Sequence, residues 1–267
     1  MSIADTTQIS GTGTGPRADR KLLRLSAILL GGGFILFAVV NLFHPSGVDQ
    51  NNHPAVFAQY AQSATWTPVH LGAFVGFAAV IAGLLVLFYA LRLEGGMAEL
   101  AVSVGSVSAG VALALTATRF AVDGVVLKRA VDAWVAAPDS EKAARFASAE
   151  TVRWLEEATT SYQGFVLGFA LILLAALIVW TGRAPKPAGY ILGLSGAANL
   201  VAGWIVGASG LAPQGAIPTY VGQICWLIAA VWLLISAWRV PQSGQTAPRS
   251  GSPAARRNDP GAPARSQ

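Results

Sequence analysis

Three observations predict an all-α fold, a six-span transmembrane helical bundle with an extracytoplasmic helical hairpin between the third and fourth spans. Of the 267 residues, 54% are hydrophobic and 12% are charged, half the ~25% charged share of an ordinary soluble domain. Six apolar stretches each approach the ~20 residues that a helix needs to cross a bilayer. The basic residues also divide unevenly between alternate connections, the pattern that orients a membrane protein.

Residues 1–21 are polar, rich in Gly and Thr and without apolar periodicity, which predicts a disordered cytoplasmic N-terminus. The first span is Leu22–Phe43. Its apolar run exceeds the roughly 7–15 residues of a signal-peptide core and no A-x-A site follows, so it reads as an uncleaved anchor. Five more spans are expected at about Val69–Leu91, Ala98–Val122, Gln163–Trp180, Ala188–Ala208 and Ile217–Trp238. Thr67-Pro68 has the chemistry of a helix start, a hydroxyl cap with proline in the first turn. Gly95-Gly96 and the Pro185/Pro187 pair punctuate the loops. The membrane domain closes near residue 240, and 241–267 form a Pro/Gly/Ser-rich basic tail that cannot bury a core.

Twelve Lys and Arg residues lie on the side of the two termini: Arg17, Arg20, Lys21, Arg24, Arg92, Arg183, Lys186, Arg239, Arg249, Arg256, Arg257 and Arg265. The other side holds six, all within one segment. Both termini are therefore expected inside, in a multi-pass protein of the cell membrane. Trp180 and Trp238 suit an inner aromatic belt and Trp66 an outer one. The outer segment, about 123–162, has no Gly or Pro from Asp139 to Gln163. It reads as two projecting helices that turn near Pro138, with surface pairs such as Lys128–Asp132.

The net charge of +5 does not indicate nucleic-acid binding, because no basic helix face is interleaved with aromatics. A single cysteine, Cys225, excludes an intramolecular disulfide. No P-loop, G-x-G-x-x-G after a strand or G-x-S-x-G occurs. Gly105, Ser108, Ala112, Thr116, Arg119 and Asp123 form one small-or-polar stripe at helical spacing, which suits a face packed on protein.

On this topology the polar residues collect at the outer end, and His44, His70, Arg119, Asp123 and Glu157 are the candidates for an outward-facing pocket. Ionisable residues lining spans usually face a partner or a wet cavity. Glu157 lies seven residues before the Gly164-x-x-x-Gly168 face and should point inward, with Glu156 rotated away. The plainer expectations are an intrahelical Arg119–Asp123 ion pair, a His70 turned away from its helix's Gly72, Gly76, Gly83 stripe, a His44 capping carbonyls, and His53 in a loop. His44, His70 and Asp123 also form a weak zinc ligand set with Glu157 as general base, and His44 with His70 could hold a haem. No cofactor is the primary expectation. Asn199, in mid-span, is expected to bond across helices.

The segments FHP (43–45), WTPVH (66–70), DGVVLKRAVDAW (123–134) and RWLEEATTSY (153–162) resemble those of a bacterial multi-span membrane family of the domain-of-unknown-function kind. The resemblance spans residues 22–240 and implies a lineage with no assigned chemistry. The function expected first is a non-enzymatic binding or interaction protein, meeting a ligand, lipid or protein at its outer hairpin and pocket. Homo-oligomers through the glycine faces are a further expectation. The alternatives are a metal-assisted hydrolase or oxidoreductase acting on outer-leaflet lipid, and a small-solute transporter. The transporter ranks third because its site should lie at the bilayer midplane.

Overall fold

The computed structural model describes residues 19–93 and 95–239; the expectations for the N-terminal segment and the basic tail lie outside them. Among the described residues there are eight α-helices, one π-helical and one 3-10 segment, and no strand. Helices α1 (Arg20–Asn41), α3 (Trp66–Ala90), α4 (Gly96–Ala121), α6 (Asp139–Thr181), α7 (Lys186–Ser209) and α8 (Ala216–Arg239) supply six spans long and apolar enough to cross a membrane. The short α2 (His53–Gln62) and α5 (Lys128–Ala136) lie at the outer end, and a π-helical turn (Val122–Leu127) joins α4 to α5.

Small residues set how close the helices come. A Cβ on Gly33 would fall 2.6 Å from the Gly76 carbonyl, and one on Gly83 would meet Leu30 at 2.9 Å, so α1 and α3 pack nearly backbone to backbone. Ser26 donates to the Gly83 carbonyl across this seam at 2.8 Å. The Gly164/Gly168 face is spent on α7 in the same way: a Cβ on Gly168 would lie 2.7 Å from the Gly196 carbonyl, and Ser161 donates to the Gly203 carbonyl. Helix α8 docks on α7 through Ser195 and the Gly222 carbonyl, and on the inner end of α1 through Arg24 and the Ala237 carbonyl. Leu84, Leu87, Phe88, Leu171 and Leu174 fill the buried core between these seams.

The outer hairpin forms as its sequence predicts. Helix α5 ends at Ala136, α6 starts at Asp139, and Lys128 pairs with Asp132 at 2.5 Å. With 43 residues, α6 is about 65 Å long, twice the thickness of a bilayer core. The connection expected as a loop around His53 contains α2 instead. Asn52 caps it, Pro54 sits in its first turn, and Val56, Phe57 and Tyr60 are buried against α5 and α6. The N-x-P start and the i, i+1, i+4 apolar residues carried that signal, and the polar Asn and Gln around them masked it.

Trp66 is buried at 1% exposure and belongs to this second small core, not to an outer aromatic belt. The helix cap expected at Thr67 falls at Thr65. Thr67 lies one residue inside the helix, and its hydroxyl serves the adjacent π-helical turn. Trp180 and Trp238 are exposed at the other end, as a belt requires.

Candidate functional site

The site is organised by the π-helical turn. The inward residues of α4 run Val102, Gly105, Ala109, Ala112, Thr116 and Phe120, and then Asp123 and Gly124 are buried side by side. Of the predicted stripe, Ser108 and Arg119 are only half-buried. A π turn widens the helix and frees backbone carbonyls from their i→i−4 partners. Helix α3 satisfies two of them: the Trp66 indole donates to the Asp123 carbonyl at 3.0 Å, and the Thr67 hydroxyl to the Gly124 carbonyl at 2.7 Å. Gly124 makes this approach feasible, since a Cβ there would fall 2.4 Å from the Cβ of His70.

His70 therefore does not turn away from the protein. It is buried at 3% exposure, with Nδ1 2.7 Å from the Trp66 carbonyl and Nε2 2.9 Å from Asp123 Oδ2. A carbonyl oxygen only accepts, so Nδ1 carries a hydrogen. Nε2 then faces a carboxylate oxygen, which requires a second proton between them. One shared proton thus joins the two side chains into a dyad, and the Trp66 ring packs tilted against His70 with centroids 4.3 Å apart. The His44 ring lies 5.2 Å from that of His70. Its Nδ1 donates to the Pro45 carbonyl. Burial, and then the adjacent His70, push the His44 imidazole below its ordinary value.

A second buried cluster lies on α6. Arg153 Nη1 donates to Glu156 Oε2 at 2.8 Å, and both side chains are 1% exposed. The same guanidinium reaches Tyr60 Oη and the side-chain oxygen of Gln50, so one arginine ties α2 and the preceding loop to α6. Burial raises the Tyr60 phenol above its usual range, and it stays a neutral donor to Gln50. Glu156, expected to be rotated away, departs from expectation, and Glu157 faces inward on a different side of the helix. Glu156 points into the bundle, whereas Glu157 lies along the α7 side near Gly210 and 3.6 Å from Arg153 Nε. The reason is that α6 has two buried faces: the glycine face that places Glu157 meets α7, and Glu156 precedes Gln163 by seven residues on the face toward α4.

Arg119 lies between the two clusters. It makes no pair with Asp123; its nearest counter-charge is Glu156 Oε1, with Nε at 3.8 Å. The Glu156 oxygens are already engaged by Arg153 and approached by Thr160. Among the described residues the Arg119 guanidinium, which has five N–H donors, forms no hydrogen bond, and its Nε is buried without a partner.

Three cavities meet at this side chain. A cavity of about 60 Å³ holds His44, His70, Asp123 and Arg119 together. An outward vestibule of about 790 Å³ opens between α1, α8 and the residues Ser46–Gln50. A chamber of about 170 Å³ continues inward between Gln163, Asn199, Thr219, Gln223 and Trp226. Asn199 lies ten residues below the outer end of α7, a depth of about 15 Å, near mid-membrane. Buried Gln163 Oε1 and Trp226 Nε1 have no partner there. Asn199 bonds back to Ser195 of its own helix, and not across helices.

Of the five candidate residues the fold thus joins four around one cavity, and it leaves Glu157 outside. Gln223 and Trp226 were missed, since an isolated Gln or Trp in a span carries no periodic signal. Among the described residues no group of three His, Cys, Asp or Glu is placed to hold a metal ion. His70 would have to release Asp123 or the Trp66 carbonyl to become a ligand.

Comparison with protein-family models gave no match, and comparisons with curated proteins and with solved structures also gave none. Fold alone does not specify function. The spans define a multi-pass membrane protein, and the site supplies the rest of the argument.

Proposed function

We propose that this chain is a binding protein of the bacterial cytoplasmic membrane, N- and C-termini inside, whose outward pocket holds a small molecule by an anionic group on Arg119 and does no chemistry on it. The observation that carries this reading is the unbonded guanidinium at the meeting point of the vestibule and the chamber. An arginine is always charged, and its planar fork matches carboxylate and phosphate oxygens. The vestibule volume of about 790 Å³ falls in the range of small-molecule sites, ~300–1,000 Å³. A binding role fits better than catalysis, because the other ionisable groups are committed to one another: His70 to Asp123 and Arg153 to Glu156.

The test uses Thr219, which lines both the vestibule and the chamber. Thr219→Cys in a Cys225→Ser background, treated from outside with membrane-impermeant thiol reagents, should react faster with an anionic reagent than with a cationic one. The preference should vanish in Arg119→Gln. A cysteine that neither reagent reaches, or a preference indifferent to Arg119, would sink the reading.

A further inference from the structure

The vestibule is walled on two sides by the outer parts of α1 and α8. Arg24 meets the Ala237 carbonyl and the Trp238 ring at the inner ends of α1 and α8, and Gly31 lies beside Ala230 near their middles. Their outer halves are separated by the vestibule, with Phe34, Phe37, Ala38 and Leu42 on one wall and Ala216 and Tyr220 on the other. From Phe34 to Leu42 this gap runs about 12 Å along the helix. Leu42 and Tyr220 at its outer margin are 81% and 63% exposed, and in a span such surfaces meet acyl chains. The gap is thus an apolar slot at outer-leaflet depth that ends on a charged, unbonded guanidinium.

We infer that the ligand is a single-chain anionic amphiphile from the outer leaflet, entering between α1 and α8, its carboxylate or phosphate head on Arg119 and its chain in the slot. This rests on the pocket reading above and names the ligand class. A head at Arg119 stands at the mouth of the chamber, where Trp226 Nε1 offers a second donor and Gln163 Oε1 an acceptor for a hydroxyl or a water. A purely aqueous ion would satisfy Arg119 and leave the apolar slot unexplained. A neutral lipid would fill the slot and leave the guanidinium, whose only ion-pair contact is Glu156 at 3.8 Å, without a hydrogen bond among the described residues. Two of the negative groups nearby are matched, Asp123 by His70 and Glu156 by Arg153, and the third, Asp49, is an exposed carboxylate in the Ser46–Gln50 wall, where solvent screens it.

The experiment follows protection of Thr219→Cys (Cys225→Ser background), in phosphatidylcholine nanodiscs, from a small impermeant thiol reagent. Dodecanoate and dodecyl phosphate, the two head chemistries, should each slow labelling, whereas acetate and inorganic phosphate at equal concentration should not. Arg119→Gln should weaken protection by about tenfold or more, the loss expected for a charge-assisted hydrogen bond. Ala38→Trp, which leaves Arg119 in place and fills the slot, should abolish protection without abolishing labelling. Equal protection by dodecanol or dodecyltrimethylammonium, or protection unchanged in Arg119→Gln, would overturn the anionic head. Protection by acetate or phosphate alone would overturn the chain and leave a soluble anion as the ligand. Intact labelling with no protection by any probe would overturn the proposal while the pocket stands; only an unreactive cysteine would count against the pocket itself.

Discussion

Replacing Gly124 by alanine tests the junction on which the site is built. The new Cβ would lie 2.4 Å from the Cβ of His70, against ~3.5–4.0 Å for a relaxed carbon contact. Helix α3 must then retreat by about 1 Å, or the π turn must close. Retreat would stretch Trp66→Asp123, Thr67→Gly124 and His70–Asp123, now 3.0, 2.7 and 2.9 Å, to or beyond the limit of a hydrogen bond. Three buried hydrogen bonds at about 1 kcal/mol each, softened by partial relaxation and joined by overpacking strain, give a loss of about 2–4 kcal/mol. At roughly 2–4 °C per kcal/mol for a chain of this size, the melting midpoint should fall by about 4–16 °C. Gly110→Ala is the matched control. Gly110 is helical and exposed, and its added Cβ meets nothing within 4 Å, so that variant should hold or gain up to about 1 kcal/mol. Thermal unfolding of both variants in one mild detergent, followed by circular dichroism, decides the matter. A Gly124→Ala protein as stable as Gly110→Ala would refute the close approach of α3 and with it the π turn's role.

Three further outcomes are expected. Arg153→Met should cost about 3–5 kcal/mol by stranding Glu156 in the interior, and Glu156→Leu added to it should restore part of the loss; Arg145→Ala, which breaks an exposed pair, should cost no more than about 1 kcal/mol, and equal losses would mean that Arg153 is not buried. Because burial holds the folded imidazole of His44 below its ordinary value of 6.5, the unfolded chain takes up its proton first. The His44 contribution is thus complete above about pH 6.5 and is lost as pH falls through the folded value. In His44→Asn the melting midpoint should decline less between pH 7 and 5 than in wild type, and parallel declines would refute the assignment. For orientation, a cysteine at Ser140 in a Cys225→Ser background should react with an impermeant reagent on intact spheroplasts and one at Ser243 should not; the reverse pattern would invert the topology.

By itself the sequence determined the six spans, their order and the turn of the outer hairpin. Hydropathy over ~20 residues and a break at Pro138 are local quantities, and no neighbour can change them. It also collected the polar residues correctly at one end. Tertiary structure decided which of them meet. Helical phase advances about 100° per residue, so a single π turn after Ala121 is enough to bring Asp123 and Gly124 together against α3 and to leave Arg119 facing the cavities. The same sensitivity hid the burial of Glu156, because α6 packs on α4 and α7 at once and the glycine face that marks Glu157 belongs to only one of them. Trp66 and His70 looked interfacial, and the α2 segment looked like a loop, for a related reason. A helix's own pattern reports how apolar its faces are, and not what another segment of the chain will lay over them.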